Sequence, residues 1–271
     1  MMLPPIRDWD AAYANGAHIP GGDRYGARWA ASAARFREAA RGELHIPYGA
    51  HGRERLDLFR PEEEPRGVVV FVHGGYWVAL GREDWSHVAR GAVERGWAVA
   101  VPSYPLAPNA RVADITRSIA RAVDAAAERV AGPVRLVGHS AGGHLVARMA
   151  CTDVALECAA RLERVVSVSG LHDLRPLLRV GENDAIGLDA DEAWRESPAF
   201  REPRPGTRLV CWVGATERAE FVRQNDLLAN IWRGMGAATA AVHEPDRHHF
   251  DVVDGLEHPT SPLTAALLEA P

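Results

Sequence analysis

A chain of 271 residues, 47% hydrophobic and 25% charged, has the composition of a globular protein able to bury a large core, in one large α/β domain or two small ones. Its net charge of −5 gives no electrostatic reason to expect nucleic acid or an anionic membrane as partner, and no apolar stretch is long enough to span a bilayer. Three cysteines, Cys151, Cys158 and Cys211, form neither a disulfide framework nor a metal-ligand spacing, and the opening Met1 to Asp8 lacks the basic and apolar regions of a secretory leader, so the expectation is a soluble cytoplasmic protein with reduced thiols.

From Asp8 to about Arg41 the residues Trp29, Ala33, Phe36 and Ala40 recur at helical spacing, which predicts one helix preceded by a loop around Pro20-Gly21-Gly22. Strands are predicted at Leu44 to Ile46 and Arg55 to Phe59, where alternation suggests a half-exposed antiparallel edge, and at Val68 to Val72, which reads as buried on both faces. A helix around Trp85 to Arg95, a strand from Trp97 to Val101 and a long helix from Val112 to Val130 follow. Further strands are predicted at Val134 to Val137, Val165 to Val168, Leu209 to Val213 and Thr239 to Val242. Strand and helix alternate, which implies a mostly parallel sheet of about eight strands flanked by helices, read as a single domain over 1–271.

In such a sheet chemistry collects at the carboxyl ends of the strands. Gly138-His139-Ser140-Ala141-Gly142 joins an apolar strand to a helical segment through Leu145, Val146 and Met149, a tight turn that would expose the Ser140 hydroxyl at the helix N-terminus. His73-Gly74-Gly75-Tyr76-Trp77 follows the buried strand, and two adjacent glycines let the main chain approach a substrate closely. The N–H groups of Gly75, Tyr76 and Ala141 are therefore candidate donors to an oxyanion, with His73 a brace for the loop. A serine nucleophile needs a histidine base, and that histidine needs a carboxylate to fix its tautomer. After the strand at Leu209 to Val213, Glu217 is the best placed acid, with Glu220 its rival; after the last strand, His249 is favoured over His248 as base because Phe250 reads as the start of a final apolar helix. The ligand-rich stretch His243 to His249 does not read as a metal site, because Pro245 prevents the helix that a His-Glu-x-x-His arrangement needs, and no cofactor fingerprint is present.

These motifs carry a resemblance. The His73 to Trp77 and Gly138 to His144 segments, Ser169-Gly170-Leu171-His172-Asp173-Leu174-Arg175-Pro176-Leu177 and Glu220-Phe221-Val222-Arg223-Gln224 together resemble the kynurenine formamidase (arylformamidase) branch of the α/β-hydrolase fold. So do Ala12-Tyr13-Ala14-Asn15 followed by Trp29, the pair Ser197-Pro198, and His249-Phe250-Asp251; the likeness runs from about Asp8 to Leu256. The resemblance implies Ser140 as nucleophile, Glu217 as acid where the branch more often has Asp, His249 as base, and an N-terminal cap segment, about 8–41, folded over the site.

The expected chemistry is metal-independent acyl transfer through Ser140, without a cofactor. The leading reading is hydrolysis of N-formyl-L-kynurenine to L-kynurenine and formate, next a carboxylesterase on small-acyl esters, and third a non-catalytic hydrolase-like binding protein. Tyr76 and Trp77 are candidate walls for an aromatic leaving group, although Trp77 could equally pack beneath its loop, and Asn183 is a candidate for the amino-acid end of the substrate. The partner expected is a small molecule, an aromatic formamide or small ester; the oligomeric state is open, a homodimer included.

Overall fold

The computed structural model describes residues 5–269; Met1 to Pro4, where the stretch read for a leader begins, lie outside them. Helix α1 (Trp9–Tyr13) and helix α2 (Tyr25–Ala39) open the chain, joined by two 3-10 turns. The predicted helix is α2, with Trp29, Ala33 and Phe36 on its buried face. Helix α1 was not legible because five residues are too few to show a period; the Asp8 carboxylate caps it by accepting from the Ala11 N–H at 2.9 Å.

Eight strands follow: β1 (Gly42–Pro47), β2 (Arg55–Phe59), β3 (Val68–Val72), β4 (Ala98–Pro102), β5 (Val134–His139), β6 (Leu162–Val168), β7 (Arg208–Gly214) and β8 (Ala238–Glu244). They form one sheet in the order β1-β2-β4-β3-β5-β6-β7-β8, antiparallel between β1, β2 and β4 and parallel elsewhere. The sheet is crossed by α3 (Arg90–Glu94), α4 (Val112–Arg129), α5 (Ala141–Met149), α6 (Asn183–Ile186), α7 (Ala190–Arg195), α8 (Ala219–Gly234) and α9 (Pro262–Leu268). Among the described residues no helix is long and apolar enough to cross a membrane.

Three elements differ from the sequence expectation. The exposed edge is β1, whereas β2 lies inside the sheet; its alternating Asp57 is buried, accepting from the His45 N–H at 2.8 Å and pairing with Arg82 Nε at 3.0 Å. The helix expected from Trp85 to Arg95 is one 3-10 turn (Ser86–Ala89) and the five-residue α3, and helical winding stops before Gly96, which takes φ +80°. After His249 comes a 3-10 segment (Val252–Glu257), so Phe250 does not begin a helix; α9 starts only at Pro262, where Ser261 caps it.

Alternation along each strand divides the core between the two faces. Val68, Val70 and Val72 face one cluster with Ile115, Ile119 and Leu145, while Val69 and Phe71 face another with Trp85, Trp97 and Leu267. Helix α4 presents Val112, Ile115, Ile119, Val123 and Ala126 to the sheet at three- and four-residue intervals, and each large aliphatic side chain buried this way contributes about 1.5–3 kcal/mol. Because β3, β5, β6, β7 and β8 are parallel neighbours, their carboxyl ends share one edge of the sheet.

Candidate active site

Strand β5 ends at His139 and α5 begins at Ala141, so the whole reversal is made at Ser140, with φ +56° and ψ −119°. A non-glycine residue held there costs about 1–3 kcal/mol and persists only because its surroundings fix it. Those surroundings are tight: a Cβ at Gly142 would come within 1.9 Å of the Val72 carbonyl oxygen, and one at Gly138 within 2.2 Å of that of Gly142. The Ser140 N–H donates to Val168 of β6 at 2.8 Å.

The loop after β3 lies directly against this turn. A Cβ on Gly74 would meet the Ser140 Cβ at 2.9 Å, so glycine is what lets the two approach. Beyond it Gly75 (φ +104°), Tyr76 (φ +48°) and Trp77 (φ +59°) curl the main chain, and among the described residues the N–H groups of Gly75, Tyr76 and Ala141 have no protein acceptor. The His73 Nδ1–H donates to Gly74 O at 2.7 Å and its ring stacks on Tyr104 at 4.3 Å, while complete burial pushes its pKa down to about 4. His73 is thus a neutral brace for the loop.

His249 follows β8 and is 3% exposed. Its Nδ1 meets Glu217 Oε2 at 2.6 Å, and a carboxylate can only accept there, which leaves Nε2 as the unprotonated, basic nitrogen. Glu217, after β7, is fully held: Oε1 accepts from the Gly214 N–H at 2.8 Å and from the Ser169 hydroxyl at 2.5 Å. Glu220 is engaged elsewhere, accepting from the Tyr13 hydroxyl at 2.9 Å and from Arg223 Nε and Nη2 at 2.7 and 2.9 Å. His248 faces the N-terminal segment, with Nε2 3.1 Å from the Tyr25 hydroxyl and Nδ1 accepting from the Phe250 N–H at 3.1 Å. His139 donates from Nε2 to the His249 carbonyl at 2.8 Å and packs on the His249 ring; burial, then the neighbouring imidazole, hold its pKa well below the ordinary value.

Ser140, Gly75, Tyr76 and His249 line a cavity of about 430 Å³, walled by Tyr13, Trp29, Trp85 and Phe250 and contributed in part by residues 13–17 of the N-terminal segment. The Tyr76 hydroxyl donates to Tyr13 O at 2.7 Å and so joins that segment to the loop after β3. Two predicted substrate-contacting residues, the wall residue Trp77 and Asn183, are elsewhere. Trp77 is completely buried beneath its loop, edge-on to His144 with ring centroids 5.2 Å apart. Asn183 uses both ends of its amide on Leu188, accepting from its N–H at 3.0 Å and donating to its carbonyl at 3.1 Å, which closes the turn at Gly187; the neighbouring Glu182 reaches the cavity instead. Trp85 and Glu182 were not singled out as site residues from the sequence, and Asn15 and Ser169 entered only within the segments that carry the resemblance, with no role of their own; Ser169 had a further signal in its place directly after a parallel strand.

Residues 69–202 match a family described as having the alpha/beta hydrolase fold. A crystal structure of a "putative thioesterase" from Silicibacter superimposes with a TM-score of 0.91 at 46% identity, covering 96% of this chain and 98% of that one. The chain belongs to the α/β-hydrolase family and is a hydrolase. Within that family it is kynurenine formamidase-like: the kynurenine formamidase of Salmo salar is 28% identical and that of Danio rerio 25%, each alignment covering 87% of this chain and 84% of the relative.

Proposed function

We propose that the protein is an arylformamidase that hydrolyses N-formyl-L-kynurenine to L-kynurenine and formate through an acyl-enzyme on Ser140. The observation that carries this reading is the 2.6 Å contact of His249 Nδ1 with Glu217, which leaves Nε2 basic in the same aromatic-walled cavity that Ser140 opens into. His249 Nε2 takes the Ser140 proton as Oγ bonds to the formyl carbon, and the carbonyl oxygen becomes an oxyanion held by the N–H groups of Gly75, Tyr76 and Ala141. The C–N bond breaks as the departing aryl amine receives that proton. Water, deprotonated by His249, then attacks the formyl ester; formate leaves and Ser140 regains its proton. The formyl group is small and the aniline-type amine is a stabilised leaving group, so the chemistry asks for no metal.

The cavity's aromatic lining, which includes Trp29, Trp85 and Phe250, suits an aromatic leaving group. A second reading, hydrolysis of small-acyl esters or thioesters by the same residues, draws support from the 46% identical Silicibacter protein. Steady-state turnover of N-formyl-L-kynurenine against p-nitrophenyl acetate separates the two. The expected outcome is a kcat/KM at least about tenfold higher for the formamide, abolished in Ser140→Ala; preference for the ester gives the second reading, and turnover of neither substrate removes both.

A further inference from the structure

Resting on the formamidase reading, we infer that Asn15 is a specificity-determining residue that accepts the N–H of an amide-type substrate, whose carbonyl is held by the Gly75, Tyr76 and Ala141 N–H groups, and so separates formamides from esters. Asn15 lies between α1 and the first 3-10 turn and lines the cavity that holds Ser140 and His249. It is 6% exposed, and among the described residues neither Oδ1 nor Nδ2 has a protein hydrogen-bond partner. No other described residue leaves both polar ends of its side chain buried and unpaired. Buried polar groups in folded proteins are almost always hydrogen-bonded, so an amide held in this state in the wall of a reaction cavity marks a site that a ligand completes.

The chemistry of the missing ligand follows from the donor set. Oδ1 accepts one N–H and Nδ2 donates to a carbonyl or similar oxygen. Among the residues lining the cavity there is no lysine or arginine, and the charged carboxylate present is Glu182, which disfavours an anionic group as the partner. A formamide offers its N–H to Oδ1 while its carbonyl faces the opposite way, toward the Gly75, Tyr76 and Ala141 N–H groups, and Nδ2 is left for another substrate oxygen; an ester of the same size has a carbonyl but no N–H and leaves Oδ1 buried without a donor. Sites that hydrogen-bond a substrate group reject analogues lacking it far more strongly than apolar pockets discriminate by size.

The test uses the full chain and two variants, Asn15→Ala and the near-isosteric Asn15→Leu, with N-formyl-L-kynurenine and p-nitrophenyl acetate as substrates. Both variants are expected to lose about tenfold or more in kcat/KM on the formamide, with the ester changed by less than about threefold. Thermal unfolding supplies an independent readout: because the amide has no protein partner among the described residues, Asn15→Leu is expected to unfold at the same temperature as the parent or higher. Equal losses on both substrates, no loss on either, or a markedly lowered melting temperature for Asn15→Leu would overturn the inference, the last by showing that the amide already has a partner. A parent protein that cleaves the ester and no formamide overturns the proposed function and this inference together, whereas formamide turnover indifferent to Asn15 overturns the inference alone.

Discussion

One wall of the cavity is made of strand ends and the other of the N-terminal segment, and the two hold their side chains by different means. On the strand side, Ser140, Ser169, Glu217 and His249 follow four consecutive parallel neighbours, β5 to β8, and the main chain itself sets their spacing through ladder hydrogen bonds and through contacts such as Ser140 N–H to Val168. On the other side, residues 8–39 are moored by side chains: Tyr13 on Glu220, Tyr25 on His248, Arg28 on Asp254 at 2.7 Å, and Arg218 on the Ala11 carbonyl at 2.9 Å. A backbone-fixed wall suits groups that must meet within a fraction of an ångström, while a wall moored by side chains can be altered without unmaking the sheet. On the proposed mechanism the strand side carries the chemistry and the N-terminal side the selection.

Changes on the strand side should depress every substrate alike. His249→Ala is expected to lower kcat by about 10⁴-fold or more on formamide and ester, and His248→Ala by less than about tenfold. Glu217→Gln should cost about 10³–10⁴-fold by allowing the wrong imidazole tautomer. Glu220→Gln should instead show itself in unfolding, at about 1–3 kcal/mol, because Arg223 and Tyr13 lose a buried acceptor. Steady-state kinetics and chemical denaturation of the four variants measure this, and a larger kinetic loss at Glu220 than at Glu217 would reverse the division.

The strand side also carries an acid liability. His73, His144 and His172 are buried, and burial pushes their pKa values down to about 4, 3 and 3. Between those values and the ordinary 6.5 the unfolded chain binds protons that the folded one does not, so stability is complete above about pH 6.5 and falls as the pH drops toward 4. Each imidazole removes about 1 kcal/mol per pH unit across that window. The urea midpoint should therefore fall steeply from pH 6.5 to 4.5; a midpoint that stays constant over that range contradicts the assignment of these three rings as neutral and sealed.

The two walls were also unequally legible. The strand side declared itself because glycine-flanked Ser140 and the His73-Gly74-Gly75 run are local patterns with local causes, and because parallel strands deliver their ends to one edge whatever lies between them. The sequence preferred Glu217 to Glu220 by its place after β7 and by the resemblance, but what holds Glu220 away is visible only in three dimensions: Tyr13, 207 residues away in sequence, takes it up. Trp77 misled for a similar reason, since a positive φ at that residue turns its ring under the loop, and sequence spacing carries no record of it. On the N-terminal side the periodicity of α2 was visible, but Asn15 sits in a short non-repeating stretch whose meaning depends on which cavity it closes.

The smallest expected effect tests whether the N-terminal wall does select. Tyr25 meets His248 in two ways, through the 3.1 Å hydroxyl contact and through a T-shaped ring pair with centroids 5.5 Å apart, and it packs on Trp29 and Phe250, which line the cavity. Tyr25→Phe removes the hydroxyl and keeps the packing, so the loss in stability should be only about 0.5–1.5 kcal/mol. Because α2 carries Trp29 into the cavity wall and none of the proposed reacting groups, the kinetic consequence should appear as a rise of about two- to fivefold in KM for the aromatic formamide, with kcat unchanged and p-nitrophenyl acetate nearly indifferent. A fall in kcat on both substrates would mean that the hydroxyl acts through His248 on the neighbouring His249, and the N-terminal wall would then belong to the chemistry as well.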